Sequence, residues 1–296
     1  MRRLSDVLKA RYGEKVYKLS LSSGCTCPNR DGTMGYGGCT FCSAGGSGDF
    51  AAAQAPIDAQ LEEAKARIRR KTGARRFIAY FQSFTNTYGD PGRLEALYRE
   101  TLRREEVVIL SLGTRPDCLG EEIMEMLARL NQIKPVWVEL GLQTVHDRTA
   151  ERINRGYSLD TFDAAYRRLK ALELTVVAHV IFGLPGETRE EMLDTVRYLA
   201  SLRPELDGVK LQMLHILKGS SLGAEYLRAP FPLLSLEEYA ELVAESVKLL
   251  PPETVLHRIT GDAPGPLLLA PEWTRNKKRV LNTVNRALAA CETESL

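Results

Sequence analysis

The sequence predicts an α/β fold: a partial (βα)6 TIM-like barrel in a single domain, with a C-terminal helical extension. Two observations lead there. Six short runs, apolar on both faces, alternate with helical segments, which is the pattern of a parallel sheet covered by helices. The unusual polar, glycine and cysteine residues fall just after those runs, at the strand ends where such sheets keep their chemistry. A closed eight-unit barrel needs more strands than the sequence provides. A doubly wound open sheet is the competing arrangement.

Residues 1–15 read as a lead-in. VYKLSLSS (16–23) is the first strand and runs into a cysteine-rich loop. PIDAQLEEAKARIRRKTG (56–73) is a helix, with Pro at its start and Gly at its end. RFIAYFQ (76–82) and VVILSLG (107–113) are the second and third strands, separated by the helix PGRLEALYRETLRRE (91–105). The helix LGEEIMEMLARLNQI (119–133) leads to the fourth strand, VWVELGLQ (136–143). Two polar helical stretches follow, HDRTAERINRG (146–156) and LDTFDAAYRRLKALE (159–173). The fifth strand TVVAHVIFGLP (175–185), the helix ETREEMLDTVRYLASL (187–202) and the sixth strand GVKLQMLHIL (208–217) complete a core barrel assigned to 16–220. The extension, 221–296, holds the helices SLEEYAELVAESVKLL (235–250) and TRNKKRVLNTVNRALAA (274–290). Between them TVLHRIT (254–260) is a candidate short strand and APGPLLLAP (263–271) reads as a loop.

Hydrophobic residues are 44% and charged residues 26% of the 296 residues, enough to bury a substantial core. A formal net charge of +2 gives no global attraction to nucleic acid. No run of about 18 apolar residues is present, so no membrane span is expected. MRRLSDVLKARYGEK lacks the apolar stretch of a secretory signal. The expected setting is cytoplasmic and reducing, where clustered cysteines are metal ligands or redox groups rather than a disulfide framework.

SSGCTCPNRDGTMGYGGCTFCSAGG (22–46) contains Cys25, Cys27, Cys39 and Cys42. CTFC lets two thiolates grip one metal or one cluster. A third ligand comes from Cys27 or Cys25. Four thiolates suit a closed structural zinc site. Three suit a four-iron cluster with one iron open. One feature weighs against zinc: the loop lies on the rim where a substrate belongs.

With its neighbours, this loop resembles the radical S-adenosylmethionine (SAM) superfamily. CPNRDGT and GGCTFC depart from the commonest C-x3-C-x2-C spacing and are similar to the YhcC/YtqA-type branch, related to the Elp3-like group. YFQSFTNTY, GTRPDCL, ELGLQTVHDRTAERINRGY, HVIFGLPGET, GVKLQMLHILKGS and LLAPEW extend the likeness along most of the chain. The resemblance implies a barrel of the radical SAM type. It implies a [4Fe-4S] cluster held by Cys27, Cys39 and Cys42, with SAM on the fourth iron and reductive cleavage to a 5′-deoxyadenosyl radical. Cys25 is then a neighbour, and Cys118 and Cys291 are incidental. A reductant such as flavodoxin or ferredoxin is implied as a partner.

The same resemblance gives candidate SAM contacts. Phe41 covers the adenine, and Gln82 and Ser83 reach the methionine amino group. Gln143 reaches the ribose, Arg155 clamps the methionine carboxylate, and His179 stands where relatives place a ribose contact. Each has a plainer alternative: core packing for Phe41, strand ends for Gln82 and Ser83, a helix-end cation for Arg155, a core imidazole for His179. Some relatives carry a Glu where this chain has Gly113; Thr114, Arg115 or Glu139 are the substitutes nearby. Glu187 and Thr188 in GLPGET suit a helix cap.

No residue is assigned as general acid or base. Lys210, His215 and Lys218 lie at or past the sixth strand. The run 65–76 holds seven basic residues and 274–280 holds four, which are candidate RNA phosphate contacts or solvated helix ends. The Elp3-like likeness implies tRNA, at its wobble uridine, as a candidate substrate. The alternatives are a small metabolite, or a non-catalytic zinc or iron–sulfur module.

Overall fold

The computed structural model of the chain describes residues 2–46, 51, 55–70 and 72–293; Lys71, in the first basic run, lies outside them. In chain order the elements are β1 (Arg2–Arg3), α1 (Leu4–Tyr12), β2 (Val16–Leu21), α2 (Ile57–Arg69), β3 (Arg76–Phe81), α3 (Pro91–Leu102), β4 (Val107–Thr114), α4 (Glu121–Asn131), β5 (Val136–Gln143), α5 (Asp147–Arg152), α6 (Leu159–Ala171), β6 (Thr175–Phe182), α7 (Arg189–Ser201), β7 (Gly208–Met213), β8 (Ile216–Leu217), α8 (Ser221–Arg228), α9 (Leu236–Leu249), β9 (Val255–Arg258), β10 (Leu268–Ala270) and α10 (Lys277–Thr293).

Eight strands form one sheet in the order β1-β9-β7-β6-β5-β4-β3-β2. Every adjacent pair is parallel. The sheet curls into a half-barrel whose edges, β1 and β2, remain unpaired with each other. The partial barrel expected from the sequence is therefore present, and β9 and β1 widen its sheet. The helices begin where the sequence supplies caps: Asp90 for α3, Ser158 for α6, and Thr188 and Ser235, each in a capping box, for α7 and α9. Thr188 thus caps as expected, while Glu187 accepts a hydrogen bond from Thr144.

Three segments differ from the sequence reading. The lead-in contains α1, whose Leu4, Leu8 and Tyr12 share one face and pack on Ile78, Ile109 and Trp137. This helix closes the amino end of the half-barrel and stops at Gly13 in the left-handed conformation (φ 74). The sixth predicted strand leaves the sheet after Met213. Its last residues form β8, which pairs antiparallel with β10 inside the stretch read as a loop. The apolar run is continuous in sequence, so only its distant partner reveals the break. Finally, Ser220 caps α8, which was not expected.

The outer sheet face carries the main core: Phe77, Phe81, Leu112, Val138, Leu140, Val176 and Phe182 pack beneath the helices. The inner face is not uniformly apolar, contrary to the sequence reading. Lys18, Ser111, Glu139, His179 and Lys210 are linked there through Glu139 at the waist of the half-barrel. Each strand carries only one or two polar residues, so no strand loses its apolar character. Curling the sheet gathers them.

Candidate active site

The loop after β2 is folded by its own backbone. Cys27 O accepts from Arg30 N at 2.8 Å, Pro28 O from Met34 N at 2.9 Å, and Asn29 O from Gly38 N at 2.7 Å. Gly37 and Gly38, at φ 78 and 77, make the turn into CTFC. Two asparagines clamp the loop to the chain after α5: Asn29 Nδ2 donates to Asn154 O (2.6 Å), and Asn154 Nδ2 donates to Gly38 O (2.9 Å). Thr40 N adds a bond to Ile153 O at 2.9 Å.

This folding turns Cys27, Cys39 and Cys42 into one cavity, where all three are free thiols. Cys25 faces the other way. It is buried in the helix-side core, and its Sγ accepts from Arg93 at 3.3 Å. Cys118 sits beside Asp117, and Cys291 is on α10. A hydrogen bond from Cys42 draws the Cys39 thiol down to about 7 against burial, with Arg115, Asn29 and Arg30 assisting. The same shared proton, with burial, pushes Cys42 up.

The cavity has two lobes. The first holds the three thiols and is also lined by Phe41, Gln82, Gly113, Arg115, Gln143 and Tyr157. Gln143 adopts φ 66, and its buried Oε1 has no hydrogen-bond partner among the described residues. Gly141 lines this lobe, and a Cβ there would lie 2.9 Å from Tyr157 Oη. Of the SAM-contact candidates, Phe41, Gln82, Gln143 and His179 are brought together here. Ser83 is buried beside Gln82 and lines neither lobe. Arg155 also lines neither lobe: it is fully buried and donates to the carbonyls of Leu142 (2.7 Å), Thr144 (2.6 Å) and Tyr157 (3.0 Å). The cation that does line the thiol lobe is Arg115, oriented by Asp117 and donating to Arg155 O at 2.9 Å. Sequence reading named Arg115 only as a substitute for the acid missing at Gly113.

Between the lobes lies the waist. Glu139 is buried and accepts from Lys18 (2.8 Å), Ser111 (2.8 Å), His179 Nε2 (2.9 Å) and Lys210. Burial alone would raise its carboxyl, but the Lys18 and Lys210 ammoniums and His179 hold it well below the usual range. Both ammoniums lie over the Tyr80 ring, at 4.6 and 4.4 Å from its centroid. Burial holds His179 down to about 4. Its Nε2 carries the proton donated to Glu139, so Nδ1 is the acceptor. Of the other two substitutes for Gly113, Glu139 is therefore already committed to the waist, and Thr114 lines the thiol lobe with its hydroxyl bonded to Thr87.

The second lobe shares Phe41, Cys42, Tyr80, Gln82 and His179 with the first. It adds Lys210, Gln212, His215, Arg258 and Asp262, over an apolar wall that includes Ile181 and Leu214. Tyr80, Gln212 and Arg258 were not singled out as site residues: Tyr80 and Gln212 lie inside longer family-like runs, and Arg258 lies in a short candidate strand. Lys210 and His215 face this lobe; Lys218 is exposed and does not.

The donor set fits a cluster better than a single ion. Among the described residues, no group of three His, Cys, Asp or Glu side chains converges as one metal ion requires. Around a four-iron cluster each thiolate binds a different iron and needs no common point. The unpartnered Gln143 Oε1 lines the thiol lobe with Gly113 and Gly141, which put no side chain into it, a polar setting that fits SAM beside the thiols.

Comparison with known proteins agrees. Residues 23–199 match the Radical SAM superfamily, and residues 206–290 match the Radical_SAM C-terminal domain. YtqA of Bacillus subtilis is 42% identical over 95% of this chain and 87% of its own length. YhcC of Escherichia coli is 39% identical over 91% of this chain and 86% of its own. The tRNA uridine(34) acetyltransferase of Methanocaldococcus jannaschii is 26% identical over 55% of this chain and 30% of its own. The fold is similar to that of Methanocaldococcus infernus Elp3, with TM-score 0.69 and 17% identity, over 95% of this chain and 63% of that one. No helix among the described residues is long and apolar enough to cross a membrane.

Two measurements follow from the waist. Glu139→Gln leaves the buried Lys210 and the half-buried Lys18 without their shared counter-charge and is expected to cost about 3 kcal/mol by urea denaturation; adding Lys210→Met should recover part of the loss. The second concerns pH. His215 is held to about 4 and His257 well below 6.5, both chiefly by burial, as His179 is. Each folded value is depressed, so the stability from neutral imidazole is complete above about pH 6.5. It falls as pH drops toward 4, by about 1.4 kcal/mol per unit for each histidine. His215→Asn should make the measured slope between pH 6 and 4.5, chosen roughly to bracket this window, shallower by about one proton.

Proposed function

This chain belongs to the radical SAM superfamily, whose members use a [4Fe-4S] cluster and SAM, and from that premise we propose that it modifies the wobble uridine of a tRNA. The observation that carries the reading is the second lobe, which opens directly off the thiol lobe and shares Phe41, Tyr80, Gln82 and His179 with it. A nucleobase extruded from an RNA loop is recognised by stacking on an aromatic face and by hydrogen bonds to its edges. Phe41 supplies the face. Gln82, Gln212 and His215 supply donors and acceptors. The similarity to the tRNA uridine(34) acetyltransferase supports the same substrate class.

Cys27, Cys39 and Cys42 would hold the cluster, with SAM bound beside them in the thiol lobe. When bound, these groups supply a hydrogen-abstracting carbon radical after one-electron reduction. A small redox carrier such as flavodoxin or ferredoxin provides the electron. Gln143 Oε1 and His179 Nδ1 accept from ribose hydroxyls, and Phe41 packs on the adenine. Arg115, rather than Arg155, would meet the methionine carboxylate, because Arg115 lines the thiol lobe, whereas Arg155 lines neither lobe and directs its Nε and Nη1 to backbone carbonyls. The apolar wall keeps water from the reacting centre.

Replacing Cys27, Cys39 or Cys42 with Ala should each abolish cluster assembly, read as iron content and visible absorbance after anaerobic reconstitution. Cys25→Ala should keep both. Loss in Cys25→Ala with retention in Cys27→Ala would reverse the ligand choice. For the substrate, mass spectrometry of tRNA nucleosides from a strain lacking the gene should show a wobble-uridine derivative lost and its precursor accumulated. An unchanged nucleoside profile contradicts the tRNA reading.

A further inference from the structure

The two basic runs lie at opposite ends of the half-barrel and differ in how they are paired. Arg76 opens β3, and its partner Glu14 precedes β2, so the first run sits at the amino ends of the strands, away from the cavity. Most of its described charges are already matched: Lys65 with Glu62 and Glu106, Arg67 with Glu63, Arg75 and Arg76 with Glu14.

The second run lies on the cavity side. Asp262 lines the second lobe, accepts there from Arg258, and also accepts from Lys277 at the start of α10. From that point a surface groove follows α10 away from the lobe toward Asn285, whose Oδ1 accepts from Arg3 of β1; it is lined by Asn276, Lys278, Arg279, Asn282, Thr283 and Arg286, with Glu237 of α9. Positions 279, 282, 283 and 286 share one helix face. Lys278 and Arg286 have no ion-pair partner among the described residues, and Arg279 reaches Glu237 only at 3.9 Å. Three cations against one carboxylate leave the groove positive. From Lys278 to Arg286 the helix rises about 12 Å, enough for several phosphates of a single strand.

We propose that this α10 groove is the track for the RNA backbone that delivers its base to the second lobe. This rests on the tRNA reading above and adds to it the surface that is used. The first basic run takes no part. Most of its described cations have carboxylates in place, so binding there would release fewer counterions and would hold the RNA at the closed end of the half-barrel.

The test compares binding of bulk bacterial tRNA to the reconstituted protein across a salt series. The variants are Lys278→Gln/Arg279→Gln/Arg286→Gln and, at the first run, Arg67→Gln/Arg70→Gln/Arg75→Gln. The groove variant should bind at least about tenfold more weakly, with a log–log salt slope shallower by about 2 units. The first-run variant should match the parent. SAM cleavage without RNA should be equal in all three, which confirms intact folding and cofactor sites. Retaining positive charge with Arg279→Lys/Arg286→Lys should preserve most of the binding. If the parent binds tRNA and the groove variant binds equally, the groove is wrong while the tRNA reading stands. Loss of binding in the first-run variant alone also overturns the groove. If the parent binds no tRNA at low salt, both proposals fail.

Discussion

Glu139 carries a full negative charge inside the half-barrel, and β2, β4, β6 and β7 each turn one donor toward it. β3 contributes the Tyr80 ring, which both lysines face. Six neighbouring strands are thus tied through one side chain. A buried carboxylate with fewer donors would take up a proton. With these it stays ionised, and that fixes the inward rotamers of Lys18, Lys210 and His179. Such a network gives little net stability compared with apolar packing. Its position gives it another role: it is the floor on which both lobes rest.

The two lobes divide the chemistry. Thiols from one folded loop define the first, and the ends of β6, β7 and β9 with the stretch around Asp262 define the second. Only the residues above the waist are common to both. His179 is the clearest case. Its Nε2 is bound to Glu139, so the imidazole offers a single acceptor to the cavity and stays neutral at physiological pH. A radical reaction needs a substrate held close to the cofactor and away from water. A rigid, fully bonded floor meets that need without mobile charged groups.

Much of this was legible in the sequence, for local reasons. The cysteine loop, Gln82 and Gln143 stand at strand ends, so strand-and-helix alternation was enough to bring them to one rim, while His179 stood out as a polar residue within an apolar strand. Cys25 was separable from Cys27 only through the likeness of CPNRDGT to the family's loop, and the structure does send Cys25 behind that loop. What could not be read depends on long-range pairing. Arg155 and Arg115 are both arginines near the rim, and only the fold shows that one is spent on carbonyls while the other faces the thiols. The waist is five residues from five strands, each inconspicuous in its own run. β9 was visible as the short run TVLHRIT but its place beside β7 was not, and β10 is too short to register until β8 offers it a partner. The α1 stripe of Leu4, Leu8 and Tyr12 was readable but had no visible counterpart to cover.

The claim on which the rest stands is that three thiolates, and not four, hold the metal, so that one iron is open beside Gln143 and His179. The direct measurement is electron paramagnetic resonance of the anaerobically reconstituted, reduced protein with and without SAM. A single [4Fe-4S] signal whose g-values change when SAM is added is the expected result. A signal indifferent to SAM, or a colourless protein holding one zinc on four thiolates that include Cys25, would contradict it.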